Sequence, residues 1–307
     1  MKRKVVQHGP STLIISLPLK WAKRYGIKKG DDLEVDEKDK TLLVSPHVVR
    51  SEHRISADVS GLMPRLVDRF LARAYQKGYD TVQLTHNDLK LLEVIQQKVQ
   101  ELIGYELIEQ NDKTCLIQAI SQKIELNFDM ALRKAFLVTK QMIESCRDCY
   151  EASDRNSLRN LYLRDLEVNR FTYFCLRQIN KEQYYVGPEL THQSHVLYYL
   201  IESLEDLGDA VKRLASLLSE SKKKNPEIMR LLAMMAEQYE LSYSFFYAAT
   251  KEKANHAYRL YLEIEEAIRN LPGKKIEKNE TLSLLYLREA TAVIYHFTTM
   301  RLDFIKQ

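Results

Sequence analysis

The amino-acid sequence predicts a multidomain protein with a small β-rich head, a mixed α/β middle segment and an all-α C-terminal bundle. The first 46 residues contain short β-branched runs that are separated by Gly and Pro turn signals. The whole chain has only 9 glycines and 7 prolines in 307 residues, and such sparse helix breakers favour long helices. The apolar fraction of 45% is ordinary for a folded protein. We therefore expect three domains, over residues 1–46, 47–122 and 123–307.

The head, residues 1–46, is predicted to form two β-hairpins that flank a short helix. Pro18 begins that helix, because its fixed φ suits the first helical position. The predicted strands and helix lie at residues 4–7, 12–17, 19–24, 33–36 and 41–45. A segment of about 45 residues buries too little core to fold reliably alone, so we expect the head to dimerise.

The other two domains are predicted from hydrophobic period and helix-stop signals. In the middle segment we expect strands near 53–59, 81–84, 105–109 and 114–120, and helices near 62–77 and 88–102. In the bundle we expect six helices, divided near 153, 181–188, 222–226, 251–253 and 271–279. These breaks predict two successive three-helix repeats, over roughly 125–220 and 225–307. The middle segment carries no motif that indicates a function.

The net charge of +4 is concentrated in the head. Residues 1–30 contain eight Lys or Arg and no acid, and the segment 47–307 is neutral. Charge asymmetry of this kind indicates a nucleic-acid partner. The candidate DNA-binding residues are Lys2, Arg3, Lys4, Lys20, Lys23 and Arg24. We expect Arg3 and Lys4 to enter a groove and the other four to contact backbone phosphates, although these residues could also be merely solvated surface charges.

A known family shares the order of features in the head. The string RKVVQHGPSTLIISLPLKWAKRYGIKKGDDLEVDEKDKTLLVSP combines a Ser/Thr-led strand ending in Leu-Pro, a short helix, Gly-Ile-x-x-Gly-Asp and an acidic hairpin. Over residues 3–46 it resembles the AbrB/SpoVT/MazE family. The resemblance implies an AbrB-like, swapped-hairpin β-barrel formed by a homodimer. It also implies that the basic outer face of this barrel binds double-stranded DNA.

Two acidic columns are predicted inside apolar helix faces of the bundle. Residues four apart share a face, so Glu205 and Asp209 continue a column that begins with Leu197 and Ile201. Asp165 likewise falls within an apolar stripe. Buried carboxylates are costly unless they are paired or bind a metal, and oxygen ligands suit hard cations. Pairing with Arg159, Arg164 or Arg213, or a solvated helix edge, would equally account for the acids.

The stretch 201–215, IESLEDLGDAVKRLA, is similar to the PhoU family, whose helices carry Glu/Asp-x-x-x-Asp motifs. Here the motif is Glu205-x-x-x-Asp209, and Asp165-x-x-x-Asn169 offers a facing partner. The resemblance implies a PhoU-like bundle that binds one divalent or iron-type metal ion through Asp165, Asn169, Glu205 and Asp209. It also suggests control of phosphate uptake, through genes or through a phosphate transporter or signalling protein.

Several classes of protein are disfavoured by the sequence. No apolar run approaches the ~18 residues of a membrane-spanning helix, and no secretion signal is recognisable, so we expect a cytoplasmic protein without membrane insertion. The four cysteines are expected to be reduced structural thiols. No phosphate-cradling glycine loop and no Ser/His/Asp spacing indicates an enzyme. We expect a DNA-binding transcriptional regulator, and the alternative is a non-enzymatic adaptor that binds a protein partner.

Overall fold

The computed structural model describes residues 2–38, 41–46, 52–120, 126–181, 194–221, 223–271 and 278–305. The chain divides into two compact units, Met1–Glu52 and His53–Gln307. The first unit contains the head. The second unit contains both the α/β elements and the helices of the bundle, which share one network of contacts.

Two antiparallel hairpins and one short helix make up the first unit. Its elements are β1 (Val5–His8), β2 (Thr12–Ile15), α1 (Leu19–Arg24), β3 (Leu33–Lys38) and β4 (Thr41–Pro46). β1 pairs with β2, and β3 pairs with β4. Gly9 closes the first turn at φ 72°, a conformation that glycine adopts without steric cost. The predicted elements are confirmed, except that Pro18 is the N-cap residue in an extended conformation and α1 starts after it.

The described side chains of the first unit form no buried core within one chain. None of its described side chains is buried, and many large apolar ones are more than a third exposed to solvent. These exposed side chains are Val5, Val6, Leu13, Ile14, Ile15, Leu17, Leu19, Tyr25, Val35 and Leu42. An isolated two-stranded hairpin is at best marginally stable in water. The apolar side chains of both hairpins therefore need another surface to pack against, and a single copy of this unit does not provide one.

The α/β part of the second unit is a four-stranded sheet with two helices. Its elements are β5 (Arg54–Asp58), α2 (Pro64–Gln76), β6 (Thr81–Thr85), α3 (Leu89–Glu101), β7 (Tyr105–Gln110) and β8 (Thr114–Ala119). The strand order is β5-β6-β8-β7, with β5 parallel to β6 and the other pairs antiparallel. A core of side chains such as Leu71, Val82, Ile95 and Ile117 is fully buried. Each of these elements was predicted from the sequence.

Six of the seven α-helices described in the rest of the chain pack as two triplets. The seven helices are α4 (Phe128–Ala152), α5 (Arg155–Arg159), α6 (Tyr162–Asn180), α7 (Ser194–Glu220), α8 (Pro226–Tyr247), α9 (Lys251–Asn270) and α10 (Lys278–Thr299). Helices α4, α6 and α7 contact one another, as do α8, α9 and α10, and the α7–α10 and α4–α8 contacts join the triplets. Phe136 lies at this junction, with ring centroids 5.1 Å from Phe246 and 6.0 Å from Phe297. The six long helices are confirmed, and the short α5 is additional.

Capping residues account for the ends of several helices. The side chains of Asn127, Asn225 and Thr250 accept hydrogen bonds from backbone N–H groups in the first turns of α4, α8 and α9. Ser153, the residue that follows the end of α4, adopts the left-handed conformation at φ 59°. All four cysteines are free thiols, as predicted. Among the helices of the described residues, none is both long and apolar enough to cross a lipid bilayer.

Arg177 on α6 joins the helices to the α/β elements. Its guanidinium donates hydrogen bonds to the carbonyl oxygens of Tyr75 at 3.0 Å and Tyr79 at 2.7 Å. It also forms an ion pair of 3.1 Å with Asp80. The guanidinium carbon lies 4.9 Å from the ring centroid of Tyr75 and 5.1 Å from that of Tyr105, which is within cation–π range. A single buried side chain therefore links α6 to the loop between α2 and β6.

The ion pairs of Asp80 predict a loss of stability in acid. Burial disfavours the charged carboxylate, but the hydrogen bonds from Lys181 and the His53 backbone, together with the charges of Lys181 and Arg177, lower the pKa of Asp80 below 3.8. A lowered pKa stabilises the folded protein above the unfolded-state value, and this contribution is lost as the pH falls through the folded-state pKa. We expect Asp80→Asn to be destabilising at pH 7, with the difference from wild type shrinking below about pH 4. Urea unfolding across pH measures this difference, and a difference that stays constant from pH 7 to pH 2 would contradict it.

Candidate nucleic-acid interface and helical pocket

The basic side chains of the head are exposed. All six candidate DNA-binding residues, Lys2, Arg3, Lys4, Lys20, Lys23 and Arg24, lie on the surface of the first unit. Lys23 and Arg24 occupy the last turn of α1, where positive charge interacts favourably with the helix dipole. Apart from Arg3, none of the six takes part in an ion pair within the described part of the chain. The charge of the other five residues is therefore available to an anionic partner.

The first hairpin has the basic N-terminal arm and the helix α1 connected to the same one of its two ends. β1 and β2 are antiparallel, and Val5 pairs with Ile15. Lys4 immediately precedes Val5, and α1 begins at Leu19, four residues beyond Ile15. The basic N-terminal arm and the start of α1 thus lie at the same end of the hairpin.

A second candidate site lies in the second unit, among α2, α3, α6 and α7. It is a pocket of about 340 Å³ that opens to solvent. Its lining combines four cations with four acids, namely Arg65, Arg69, Lys98, Lys212, Asp68, Glu101, Asp165 and Asp209. Lys98 is buried and pairs with Asp68 at 2.9 Å and with Glu101 at 2.6 Å. The pocket therefore presents mostly paired charges instead of an excess of one sign.

The structure places the four predicted metal ligands on facing helices. Asp165 and Asn169 of α6, and Asp209 of α7, line the pocket. Glu205 lies one turn before Asp209 and accepts hydrogen bonds from Arg69 and from the Tyr173 hydroxyl, both at 3.2 Å. All four predicted ligands are largely buried, which confirms that both acidic columns run inside apolar helix faces.

Side-chain cations hold the carboxylates of this site. The Lys212 ammonium lies 2.5 Å from Asp165 Oδ2 and 2.5 Å from Asp209 Oδ1, and thus bridges α6 and α7. The second oxygen of Asp209 accepts a hydrogen bond from Arg213 at 2.9 Å. Pairing with Arg213 was one of the alternatives to metal binding that the sequence left open.

The two bridged aspartates differ in their electrostatic balance. Burial raises the pKa of Asp165, and together with the negative charges of Asp209 and Glu205 it outweighs the opposing effect of Lys212. Asp209 is less deeply buried, and there Lys212, Arg213 and Arg69 outweigh burial and lower its pKa. The same two carboxylates raise the pKa of Lys212 against the effect of its own burial.

Two buried oxygens at this site have no hydrogen-bond partner among the described residues, Asp165 Oδ1 and Asn169 Oδ1. The first faces Gly208 of α7, where a Cβ would come within 3.2 Å of it. Carboxylate and amide oxygens would suit a hard cation as ligands, but the ammonium group of Lys212 occupies the position between the two aspartates. Among the described residues, no group of three or more His, Cys, Asp or Glu is arranged to hold a metal ion. The metal ion remains a prediction from the sequence.

Apart from Arg213, sequence reasoning missed the residues that bond to these acids. Lys212 lies three positions after Asp209, a spacing that permits an ion pair on one helix face and was the available signal. Arg69 comes from α2, 136 positions before its partner Glu205, and no local pattern indicates that contact.

Comparison with known proteins identifies a relative for the head alone. Residues 6–52 match a family model described as antidote-toxin recognition MazE, bacterial antitoxin. The match covers less than half of the chain and coincides with the first unit. It supports the resemblance of the head to the AbrB/SpoVT/MazE family. No curated protein and no solved structure matches the chain.

Proposed function

We propose that the protein is a DNA-binding regulator, with its MazE-like heads acting in pairs on double-stranded DNA. The observation that carries the proposal is the concentration of exposed positive charge in the head, while residues 47–307 are neutral. MazE-like and AbrB-like domains are typically dimeric DNA-binding modules. We infer a regulator and not an enzyme.

The exposed hairpins support a homodimer formed through the head. Val5 pairs with Ile15 on one face of the first hairpin, and Val6 pairs with Ile14 on the other. All four side chains are about half exposed or more. Interleaving the hairpins of two copies into one swapped-hairpin barrel would bury one of these faces. It would also bring two sets of basic residues onto a single surface.

The charge of such a dimer favours contact with phosphates. Neutralising DNA phosphates with Lys and Arg releases bound counterions, which provides affinity that falls steeply with salt. Lys20, Lys23 and Arg24 suit backbone phosphates. Arg3 and Lys4, on the extended arm before β1, suit a groove. The role also requires the protein to work in the compartment that holds the DNA, which agrees with the expected cytoplasmic location.

We further propose that the helical triplets sense a signal or bind a partner, with control of phosphate uptake as the physiological role. This part of the proposal rests on the similarity of residues 201–215 to the PhoU family. A phosphate transporter or signalling protein is the partner that this similarity suggests. In the alternative, the protein is an adaptor whose head serves only to dimerise.

The dimer is tested by placing charge on both faces of the first hairpin. We expect Ile14→Asp/Ile15→Asp to weaken self-association of the full chain at least 100-fold and to abolish DNA binding, because an unpaired buried carboxylate is costly. Sedimentation equilibrium and a duplex-binding assay measure the two effects. Ile108→Asp/Leu137→Asp is the matched control, since both residues are exposed apolar positions of the second unit.

The two readouts separate the competing accounts. Loss of both self-association and DNA binding in the hairpin variant, with neither lost in the control, supports the regulator. A hairpin variant that still dimerises and binds DNA like wild type would contradict the proposed head dimer. A wild-type dimer that does not bind DNA would favour the adaptor.

A further inference from the structure

We propose that the Lys212 ammonium is the resident cation of the helical pocket and takes the place of the metal ion that the PhoU resemblance implies. The inference is independent of DNA binding by the head. It assigns to the pocket a cation that is part of the chain. It also predicts a latent divalent-cation site that becomes available only when Lys212 is removed.

The geometry around Lys212 carries the inference. Asp165 and Asp209 come from different helices and are largely buried, so their carboxylates would repel each other without a cation between them. The ammonium supplies that cation, at 2.5 Å from one oxygen of each aspartate. Lys212 is on the same helix as Asp209, three positions later, so the helix puts both residues on one face, and Asp165 of the packed helix α6 supplies the second carboxylate.

Several of the remaining oxygens are already hydrogen-bonded. Arg213 donates to the second oxygen of Asp209, and Arg69 and Tyr173 both donate to Oε1 of Glu205. Among the described residues, the fully buried oxygens of this ligand set without a hydrogen-bond partner are Asp165 Oδ1 and Asn169 Oδ1. Mg²⁺ and Ca²⁺ can complete their coordination with water, so the number of free oxygens does not exclude them. The ammonium of Lys212 does, because it occupies the position between the two carboxylates that would have to bind the ion.

The same ligand set becomes suitable once the ammonium is removed. Without Lys212, both oxygens of Asp165 and one oxygen of Asp209 would lack a cation, and Asn169 would add an amide oxygen. Carboxylate and amide oxygens with water suit Mg²⁺, Mn²⁺ and Ca²⁺. The pocket is open to solvent, so an ion could enter and keep part of its hydration shell.

The test is thermal unfolding of the full chain in Mn²⁺ and in EDTA. We expect no Mn²⁺-dependent change in the Tm of wild type. We expect Lys212→Met to gain a saturable rise in Tm of about 5 °C or more at 100-fold excess over Kd. Asp165→Asn in the Lys212→Met background should abolish that rise. Lys223→Met is the matched control, since Lys223 is exposed and outside this pocket, and its Tm should not respond to Mn²⁺.

Two results would overturn the proposal. One is a saturable Mn²⁺-dependent rise in the Tm of wild type that Asp165→Asn removes. The other is a folded Lys212→Met variant that does not respond to Mn²⁺. If that variant does not fold, the NMR signals of labelled lysine in wild type decide. Paramagnetic broadening selective for Lys212 would contradict the proposal, and broadening no greater than that of Lys223 would support it.

Discussion

Replacing Arg3 and Lys4 together with alanine is expected to weaken binding of the full chain to duplex DNA by about 10- to 100-fold near physiological salt. Both residues are exposed on the arm that leads into β1. A head dimer carries two such arms, so the double variant removes four positive charges from one DNA-binding surface. The slope of log K against log salt should also become shallower, by about one unit for each DNA phosphate that the variant no longer neutralises.

The matched control removes the same charge from the second unit. Arg159 and Lys251 are exposed and take part in no ion pair within the described part of the chain. Arg159→Ala/Lys251→Ala lowers the net charge by the same amount as the head variant. Equal losses of affinity in the two variants would mean that overall charge, and not the head, governs binding.

The second large effect concerns stability. Arg177→Ala is expected to lower the free energy of unfolding by about 3–5 kcal/mol, because it removes a buried guanidinium together with its hydrogen bonds to two carbonyl oxygens and its ion pair. The change leaves the carbonyl oxygens of Tyr75 and Tyr79 without this donor, and it removes one of the two cations that pair with Asp80. Urea unfolding followed by far-UV circular dichroism measures the loss.

Arg170 provides the control for this stability prediction. It lies on the same helix, two turns before Arg177, and is exposed. We expect Arg170→Ala to change the free energy of unfolding by less than about 0.5 kcal/mol. A loss below about 1 kcal/mol for Arg177→Ala would show that Arg177 does not contribute as a buried pair.

The spacing of apolar residues along the sequence predicted the helices and strands, because this spacing indicates which face of a helix or strand is buried. The columns that contain Asp165 and Asp209 were predicted on this basis, and both aspartates are buried. Helix α5 was not predicted, because its five residues are too few to establish a period. Its N-cap, Asp154, was the available signal.

Apart from Arg213, the partners of the buried acids could not be decided from sequence patterns, for a physical reason. A lysine three residues from an aspartate can extend into solvent or turn toward its neighbour, and packing of the adjacent helix decides between them. Lys212 turns inward because Asp165 lies on α6 across from it. The Arg177 contacts span about 100 positions, and only tertiary packing brings those residues together.

In the head, the sequence predicted the elements, but the structure of a single chain does not show how their apolar side chains are buried. The strands and the short helix were predicted, but their apolar side chains are exposed in one copy. The sequence predicted this deficit, because about 45 residues cannot bury an adequate core. The same deficit predicted a dimer, and the resemblance to the AbrB/SpoVT/MazE family implied the swapped-hairpin form of that dimer.

The most direct test of the central claim is the affinity of the purified full chain for a mixed-sequence duplex, measured across a salt series together with the stoichiometry of the complex. The account predicts two chains per bound duplex and a log K that falls linearly with log salt, with a slope that corresponds to several phosphate contacts. Absence of binding at about 50 mM salt, or binding that is insensitive to salt, would contradict the claim that the paired heads bind DNA.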